Sequence, residues 1–296
     1  MNKQCKGSML SFLGVTFYSM DSLLIALSGV SGFSAGFWRG LFTFTSIGTV
    51  FFILNWNNLK NVFCGKWKYM LFSGLMLGLG GAIFAFSISY SGTSISLVML
   101  SLNPILTAIF TALLLKEKPA KHTIVIMFVC LIAVIYMFGE GLEMGNILSY
   151  LVALLVPIAL ALNLTNLRKY PDLSRMGVSM IGGFVTAISS LIFSGGKIAV
   201  DEKALLYLGF LGLVIIPIGQ VMITSGTKYA KASSISLINS LECVFGLFYV
   251  WLFIGTVPSM NCLIGGTVIM LSIIINIALD FKCKDSRLGC QIQQCG

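Results

Sequence analysis

The chain has 296 residues, of which 57% are apolar and 10% are charged, and its formal net charge is +9. Because an ordinary globular domain has roughly 25% charged residues, this composition excludes a typical soluble protein and predicts an integral membrane protein in a lipid bilayer. The positive charge does not predict a nucleic-acid partner, since the Lys and Arg residues lie in short gaps between apolar segments and form no single stripe.

Ten apolar segments are each long enough to cross a bilayer as a helix, which requires about 20 residues. Strands of a membrane β-barrel would be about 10 residues long and would alternate in polarity, so they do not fit these segments. The first segment follows Lys3 and Lys6 as a signal peptide would, but its length and Asp21 favour a helix that is retained. The ten predicted spans are residues 8–28, 33–54, 69–89, 93–115, 122–139, 146–167, 177–195, 204–225, 231–253 and 260–280.

The distribution of basic residues predicts how the spans are oriented. If the N-terminus is cytoplasmic, every Lys and Arg residue except Arg39, Lys197 and Lys203 lies on the cytoplasmic side. This is the bias that the positive-inside rule describes. We therefore predict ten transmembrane helices with both termini in the cytoplasm. The abundance of Lys, Ile, Phe and Asn is typical of an AT-rich genome and indicates a bacterial cytoplasmic (inner) membrane.

The two halves of the chain are related in sequence. Residues 139 positions apart are identical at several places without a gap, namely Tyr90 and Tyr229, Ser94 and Ser233, Ser101 and Ser240, Leu102 and Leu241, and Pro119 and Pro258. A half with five helices crosses the membrane an odd number of times, so the second half must be inverted relative to the first. We predict two inverted five-helix repeats, 8–139 and 146–280, and a polar cytoplasmic tail, 281–296.

Short motifs surround these matched positions. The first half contains Tyr90-Ser91-Gly92-Thr93-Ser94, Leu102-Asn103-Pro104 and Leu114-Leu115-Lys116-Glu117-Lys118-Pro119, and the second contains Tyr229-Ala230-Lys231-Ala232-Ser233 and Leu241-Glu242. Together with Ala35 and Arg39, they resemble the repeat signature of EamA-type transporters in the drug/metabolite transporter superfamily. The resemblance covers roughly residues 8–280 and implies a transporter, not an enzyme. It departs at Cys243, where such proteins usually have Pro, and at Thr256, where they usually have Glu.

Glu242 is the strongest candidate for a functional residue. It lies near the centre of a predicted span, where a charged side chain costs at least about 2.5 kcal/mol and is usually tied to a solute pathway. We expect its carboxyl group to bind and release a proton; the structural alternative is a neutral carboxyl group hydrogen-bonded between helices. Asn103 is its repeat mate and cannot titrate. Asn239 precedes Glu242 by three residues and is expected on the same helix face.

Asp21 and Arg39 lie at similar distances before and after the turn at residues 29–31, so we expect them at similar depth and able to pair. Two interpretations stay open at this point. The pair is either structural, or it is a site at which Arg39 receives a substrate carboxylate or phosphate. The remaining candidates for substrate binding or coupling are the polar or aromatic side chains Gln220, Trp38 and Tyr18.

The sequence predicts no metal site and no cofactor. Its eight cysteines form no CxxC pair, its only histidine is His122, and its Gly-rich segments lack the Lys-Ser/Thr end of a P-loop. Transport is therefore expected to use a gradient or exchange. The tail cysteines Cys283, Cys290 and Cys295 have no assigned role.

The predicted function is a secondary transporter that moves a small polar metabolite, an amino acid or a related compound, by alternating access, with proton coupling as one option. The alternative within transport is an exchanger of a nucleotide-like metabolite such as S-adenosylmethionine. The alternative of another class, an integral-membrane enzyme, is disfavoured because no cluster of His, Asp and Glu is apparent. Import or export, and a monomer or a homodimer, are both left open.

Overall fold

The computed structural model of the chain describes residues 3–30, 32–55, 66–91, 93–117, 119–138, 147–255 and 260–293, and every regular element among them is a helix. The helices are α1 (Lys3–Tyr18), α2 (Met20–Ser28), α3 (Gly32–Asn55), α4 (Trp67–Ser91), α5 (Thr93–Leu100), α6 (Asn103–Leu115), α7 (Lys121–Phe138), α8 (Ile147–Lys169), α9 (Arg175–Phe193), α10 (Glu202–Phe210), α11 (Ile216–Gly226), α12 (Ala232–Asn239), α13 (Leu241–Ile254) and α14 (Met260–Gln293). The π-helical segment Leu211–Ile215 joins α10 to α11. The predicted outer loop 140–145, Thr256 and Cys295 lie outside the described residues.

The helices account for the predicted membrane spans. Within the described part of the chain, nine helical segments are long and apolar enough to cross a membrane. The shorter apolar helix α7 lies at the position of the fifth predicted span. The structure thus confirms the all-α membrane architecture. The count of ten and the cytoplasmic location of the termini stay predictions.

Three predicted spans are each two helices rather than one. Ser19 separates α1 from α2, Ser101 and Leu102 separate α5 from α6, and Ser240 separates α12 from α13. A fourth span is continuous but contains the π-helical segment just before Pro217. Irregular backbone at membrane depth is stable only where it is buried in protein or lines a cavity. The four irregular points therefore indicate where such a cavity lies.

Local side-chain hydrogen bonds accompany two of the breaks. Ser19 Oγ donates to Val15 O at 2.7 Å, and Ser101 Oγ donates to Val98 O at 2.6 Å, so each serine bonds to a carbonyl of the preceding turn. Such side-chain bonds compete with the regular helical ladder. After Ser101, the ladder is also weakened by Pro104 in the first turn of α6, because proline has no N–H to donate.

The two broken spans α5–α6 and α12–α13 match at the spacing seen in the sequence. α5 and α12 begin at positions that differ by 139, and so do the last residues of α6 and α13. Each end is followed by a residue in the left-handed conformation, Lys116 with φ 57° and Gly255 with φ 79°. The structural agreement supports a chain built from two related halves.

Helix packing follows the same relationship. The first helix of each half makes an equivalent contact with the other half, because α1 packs against α11 and α8 packs against α4. The corresponding helices α3 and α9 pack against each other, and so do α7 and α14. α3 and α9 approach very closely, because a Cβ atom on Gly183 would lie only 2.9 Å from the backbone nitrogen of Phe44. The largest buried cluster joins α7 to α12, α13 and α14. Contacts between the halves therefore form the core of the fold.

Basic residues gather at one end of the helices. Ion pairs between Lys66 and Asp172 and between Arg168 and Glu117 join loops at this end. We call it the basic face and define it by these four residues; it is the predicted cytoplasmic face. The hydrogen bond and the charge of Lys66 lower the pKa of Asp172, so their pair is lost only when the pH falls through that lowered pKa.

Candidate functional site

A central cavity lies between the two halves of the chain. Together with the solvent at its mouth it contains about 1240 Å³ of empty space. Residues from both halves line it, including the apolar side chains Leu77, Phe84 and Ile216. Its polar and charged lining residues are Tyr18, Asp21, Arg39, Thr43, Ser101, Asn103, Asn163, Ser179, Thr186, Gln220, Ser236, Asn239, Ser240, Glu242 and Cys243.

The helix breaks place seven of these side chains. Tyr18 and Asp21 flank the break between α1 and α2, and Ser101 and Asn103 lie at the break between α5 and α6. The break between α12 and α13 similarly adds Asn239, Ser240 and Glu242 to the wall. Broken helices expose their ends to a cavity, where they can hold charged or polar groups of a substrate. The cavity thus has the general form of a solute-binding site.

Asp21 and Arg39 form an ion pair across α2 and α3. Arg39 Nη1 donates to Asp21 Oδ2, and the two side chains are only 12% and 8% exposed. The other carboxylate oxygen, Asp21 Oδ1, is buried and has no hydrogen-bond partner among the described residues. Removal of one partner from a buried pair of this kind is strongly destabilising, because it leaves the other without compensation.

Glu242 differs from that pair because its carboxyl group is not neutralised. It lies in the first turn of α13 and forms no hydrogen bond or ion pair with any other described residue. Arg39 is close enough to Glu242 to interact with it electrostatically while remaining bonded to Asp21. Glu242 is therefore available to a proton or to a cationic group.

Asn103, the repeat mate of Glu242, is held by neighbouring hydroxyl groups. It is 5% exposed, and its Oδ1 accepts a hydrogen bond of 3.2 Å from Thr107 Oγ1. Thr107 Oγ1 also lies 3.2 Å from Ser236 Oγ on α12, which connects the two halves. The matched positions therefore differ in environment as well as in charge.

Other cavity residues have unpaired polar atoms. Asn163 Oδ1, Asn239 Oδ1, Thr43 Oγ1 and Ser179 Oγ are buried without a hydrogen-bond partner in the described part of the chain. Such atoms are unusual in folded proteins and are often found at functional sites. Asn239 is among the candidates that the sequence predicts, whereas Asn163 is not. Its polarity was visible in the sequence, whereas its place on the cavity wall was not.

The structure brings together seven of the eight predicted site residues, namely Glu242, Asn239, Asn103, Arg39, Asp21, Gln220 and Tyr18. Trp38 is the exception and does not line the cavity. Its Nε1 donates to Ile198 O at 2.8 Å, and its ring stacks on Phe42 with a centroid distance of 5.6 Å. Asn239 and Glu242 do share the cavity, although the break at Ser240 means that no single helix face carries both.

Comparison with known proteins decides the family. The sequence pattern of the EamA-like transporter family matches residues 6–139 and again residues 143–278. The chain belongs to the EamA-like transporter family. It is therefore a member of the drug/metabolite transporter superfamily, as the sequence motifs indicated, and a multi-pass membrane protein.

This EamA-family chain is also similar to a curated protein and to a solved structure. It is 23% identical over 239 residues to a protein of Clostridium kluyveri described as an uncharacterized transporter. The matched region covers 73% of this chain and 74% of the relative. A solved crystal structure, described only as that of a protein, has the same fold, with a TM-score of 0.80 at 14% identity over 92% of this chain and 97% of the other. The family and the first relative indicate a transporter rather than an enzyme.

Proposed function

We propose that this EamA-family chain is a secondary transporter of a small polar metabolite, an amino acid or a related compound, and that Glu242 carries a coupled proton. The observation that supports the proposal most directly is the carboxyl group of Glu242, which lines the central cavity without an ion-pair partner among the described residues. Ionisable groups at such depth in a membrane protein commonly mark substrate or proton pathways.

The charges in the cavity support proton coupling. The ionisable side chains Asp21, Arg39 and Glu242 line the cavity wall, and the charges of Asp21 and Arg39 neutralise each other. An ionised Glu242 therefore leaves one negative charge in a largely apolar space. A proton or a substrate cation removes this charge, so binding of either one favours the transition between the states in which the cavity opens to opposite sides of the membrane.

The polar atoms of the cavity support an amino-acid-like substrate. The unpaired oxygens of Asp21, Asn163 and Asn239 are hydrogen-bond acceptors, which suit the N–H groups of a protonated amine. Arg39 is the cationic side chain of the wall and suits a carboxylate group. A substrate with both groups at one end meets both requirements.

S-adenosylmethionine also has an amino group and a carboxylate at one end, so it remains the alternative substrate. The decisive experiment is uptake by proteoliposomes that contain the purified protein, with a panel of labelled amino acids, nucleosides and S-adenosylmethionine. Each compound is tested with and without an imposed pH gradient. We expect uptake of at least one amino acid, enhanced by the gradient. Transport of S-adenosylmethionine alone, in exchange for an internal compound and without a pH effect, would favour the alternative.

A further inference from the structure

We propose that Arg168 and Glu117 form an ionic gate at the basic face, and that no equivalent gate closes the opposite face. The proposal rests on the proposed function, because a gate matters only if the cavity opens alternately to the two sides of the membrane. The two halves are related by the inverted repeat, but under this proposal an ion pair closes the cavity at one face only. The asymmetry favours the state in which the basic face is closed.

The contacts of Arg168 carry the first part of the proposal. Its Nε lies 3.3 Å from both carboxylate oxygens of Glu117, and its Nη2 donates to Glu117 Oε1 at 3.1 Å. Its Nη1 donates to Thr227 O at 3.3 Å. One guanidinium group therefore holds the segment after α6 to the end of α8 and to the connection between α11 and α12. Glu117 belongs to the first half of the chain, and Arg168 and Thr227 belong to the second.

Neighbouring contacts join the same two halves. Asn166 Nδ2 donates to Tyr69 O at 2.9 Å and to Ser73 Oγ at 2.8 Å, which connects α8 to α4. The rings of Tyr69 and Tyr170 stack with a centroid distance of 4.1 Å. Opening the cavity at the basic face requires the halves to separate here. The bonds from Arg168 to Glu117 must break in that movement, and both side chains must then be solvated independently.

The sequence has no inverted copy of this pair for the opposite face. At the repeat spacing of 139, the position that corresponds to Glu117 is Thr256, and the one that corresponds to Arg168 is Gly29. Neither residue is charged, so the inverted copy of the ion pair cannot form.

Two hydrogen bonds that join the halves near the opposite face are neutral. Ser34 Oγ donates to Lys197 O at 2.9 Å, and Trp38 Nε1 donates to Ile198 O at 2.8 Å. Among the ion pairs of the described residues, those that join the two halves, Lys66–Asp172 and Glu117–Arg168, both lie at the basic face. Closing the basic face therefore gains charge-assisted bonds that closing the other face does not, and this difference shifts the equilibrium between the two states.

The test measures how often the cavity opens at the basic face. Cys243 lines the cavity and serves as the reporter, in a chain whose other cysteines are replaced by serine. An uncharged but membrane-impermeant thiol reagent is added from one side of reconstituted vesicles. A separate variant, Lys121→Cys, identifies the side of the basic face, because Lys121 is exposed and follows Glu117 by four residues. The labelling rate of Cys243 from that side reports the open fraction.

We expect Glu117→Gln and Arg168→Gln each to increase this rate by about fivefold, the effect expected for a partly exposed pair with several charge-assisted bonds. The exchanged double variant, Glu117→Arg with Arg168→Glu, should return to within about twofold of the parent. The matched control is Asp172→Asn, which removes the exposed ion pair to Lys66 between the same halves at the same face. Its effect should be less than about twofold.

A second measurement needs no substitution of Glu117 or Arg168. Raising the ionic strength from low to high salt should increase labelling from the basic face and should not increase labelling from the opposite face, because salt screens the ion pair that keeps the basic face closed. Gate variants that behave like Asp172→Asn, or a salt effect that is equal from both sides, would overturn the proposal. Labelling from one side only under every condition would instead contradict alternating access, and therefore the proposed function. Normal gating without uptake of any tested compound would contradict only the proposed substrate.

Discussion

The buried ion pair of Asp21 and Arg39 allows a sharp test of whether it is structural or belongs to the substrate path. Arg39→Ala leaves an uncompensated carboxylate, and Asp21→Ala leaves an uncompensated guanidinium group, in side chains that are only 8% and 12% exposed in the parent. Breaking a buried pair from one side typically costs about 3–5 kcal/mol. We therefore expect each single variant to lose that amount of stability, which corresponds to a factor of more than about 100 in the folding equilibrium.

The double variant, Asp21→Ala with Arg39→Ala, removes both charges. We expect it to recover most of the loss, which gives a favourable coupling energy of more than about 2 kcal/mol between the two side chains. The assay is unfolding of the purified protein in a series of mixed micelles with increasing SDS, followed by tryptophan fluorescence. Transport is measured on the same samples. Strictly additive losses in the double variant would refute the reasoning, because they would show that the two charges do not stabilise each other.

Transport by the double variant separates the two interpretations of the pair. A folded and active double variant assigns the pair a structural role, since neither charge is then needed for the substrate. A folded but inactive one places Arg39 or Asp21 in the substrate path, in agreement with their position on the cavity wall.

Two further predictions concern topology and packing. Cysteine accessibility should place residues 60–68, 116–121 and 168–176 in the cytoplasm and residues 140–145 outside; if the segments 116–121 and 140–145 report the same side, the topology of ten helices is wrong. Gly183→Ala should destabilise the protein by about 1–3 kcal/mol, because its Cβ would lie 2.9 Å from the Phe44 backbone nitrogen and push α9 away from α3. Gly48→Ala is the matched control on α3, since its Cβ would meet nothing closer than 3.6 Å, and SDS unfolding that affects both variants equally would contradict this explanation.

The architecture could be predicted because the apolar segments of the sequence indicate how deep each residue lies in the membrane. Apolar length located the spans, and the spacing of 139 residues related Asn103 to Glu242. Seven of the eight candidate site residues line the cavity for the same reason, because polar side chains at mid-depth avoid lipid. Family membership, which the motifs indicated, is confirmed by the match to both halves.

Contacts between distant segments could not be predicted in this way. Depth does not specify which direction a side chain faces, so Trp38 was expected on the path but bonds to the segment after α9 instead. The helix breaks were also not predicted, and at Ser240 no proline follows that could indicate one, whereas Pro104 follows Ser101. The pair of Arg168 and Glu117 joins residues 51 positions apart, and only the packing of the two halves brings them together.

Glu242→Gln in proteoliposomes with an imposed pH gradient is the most direct test of proton coupling at this carboxyl group. Glutamine preserves the shape and most of the hydrogen bonding of the side chain but cannot titrate, so the variant should fold and exchange substrate across the membrane without a gradient. We expect it to lose accumulation of substrate driven by the proton gradient, and its apparent substrate affinity to lose the pH dependence of the parent protein. A Glu242→Gln protein that still accumulates substrate in response to the gradient, with unchanged pH dependence, would contradict proton coupling at Glu242.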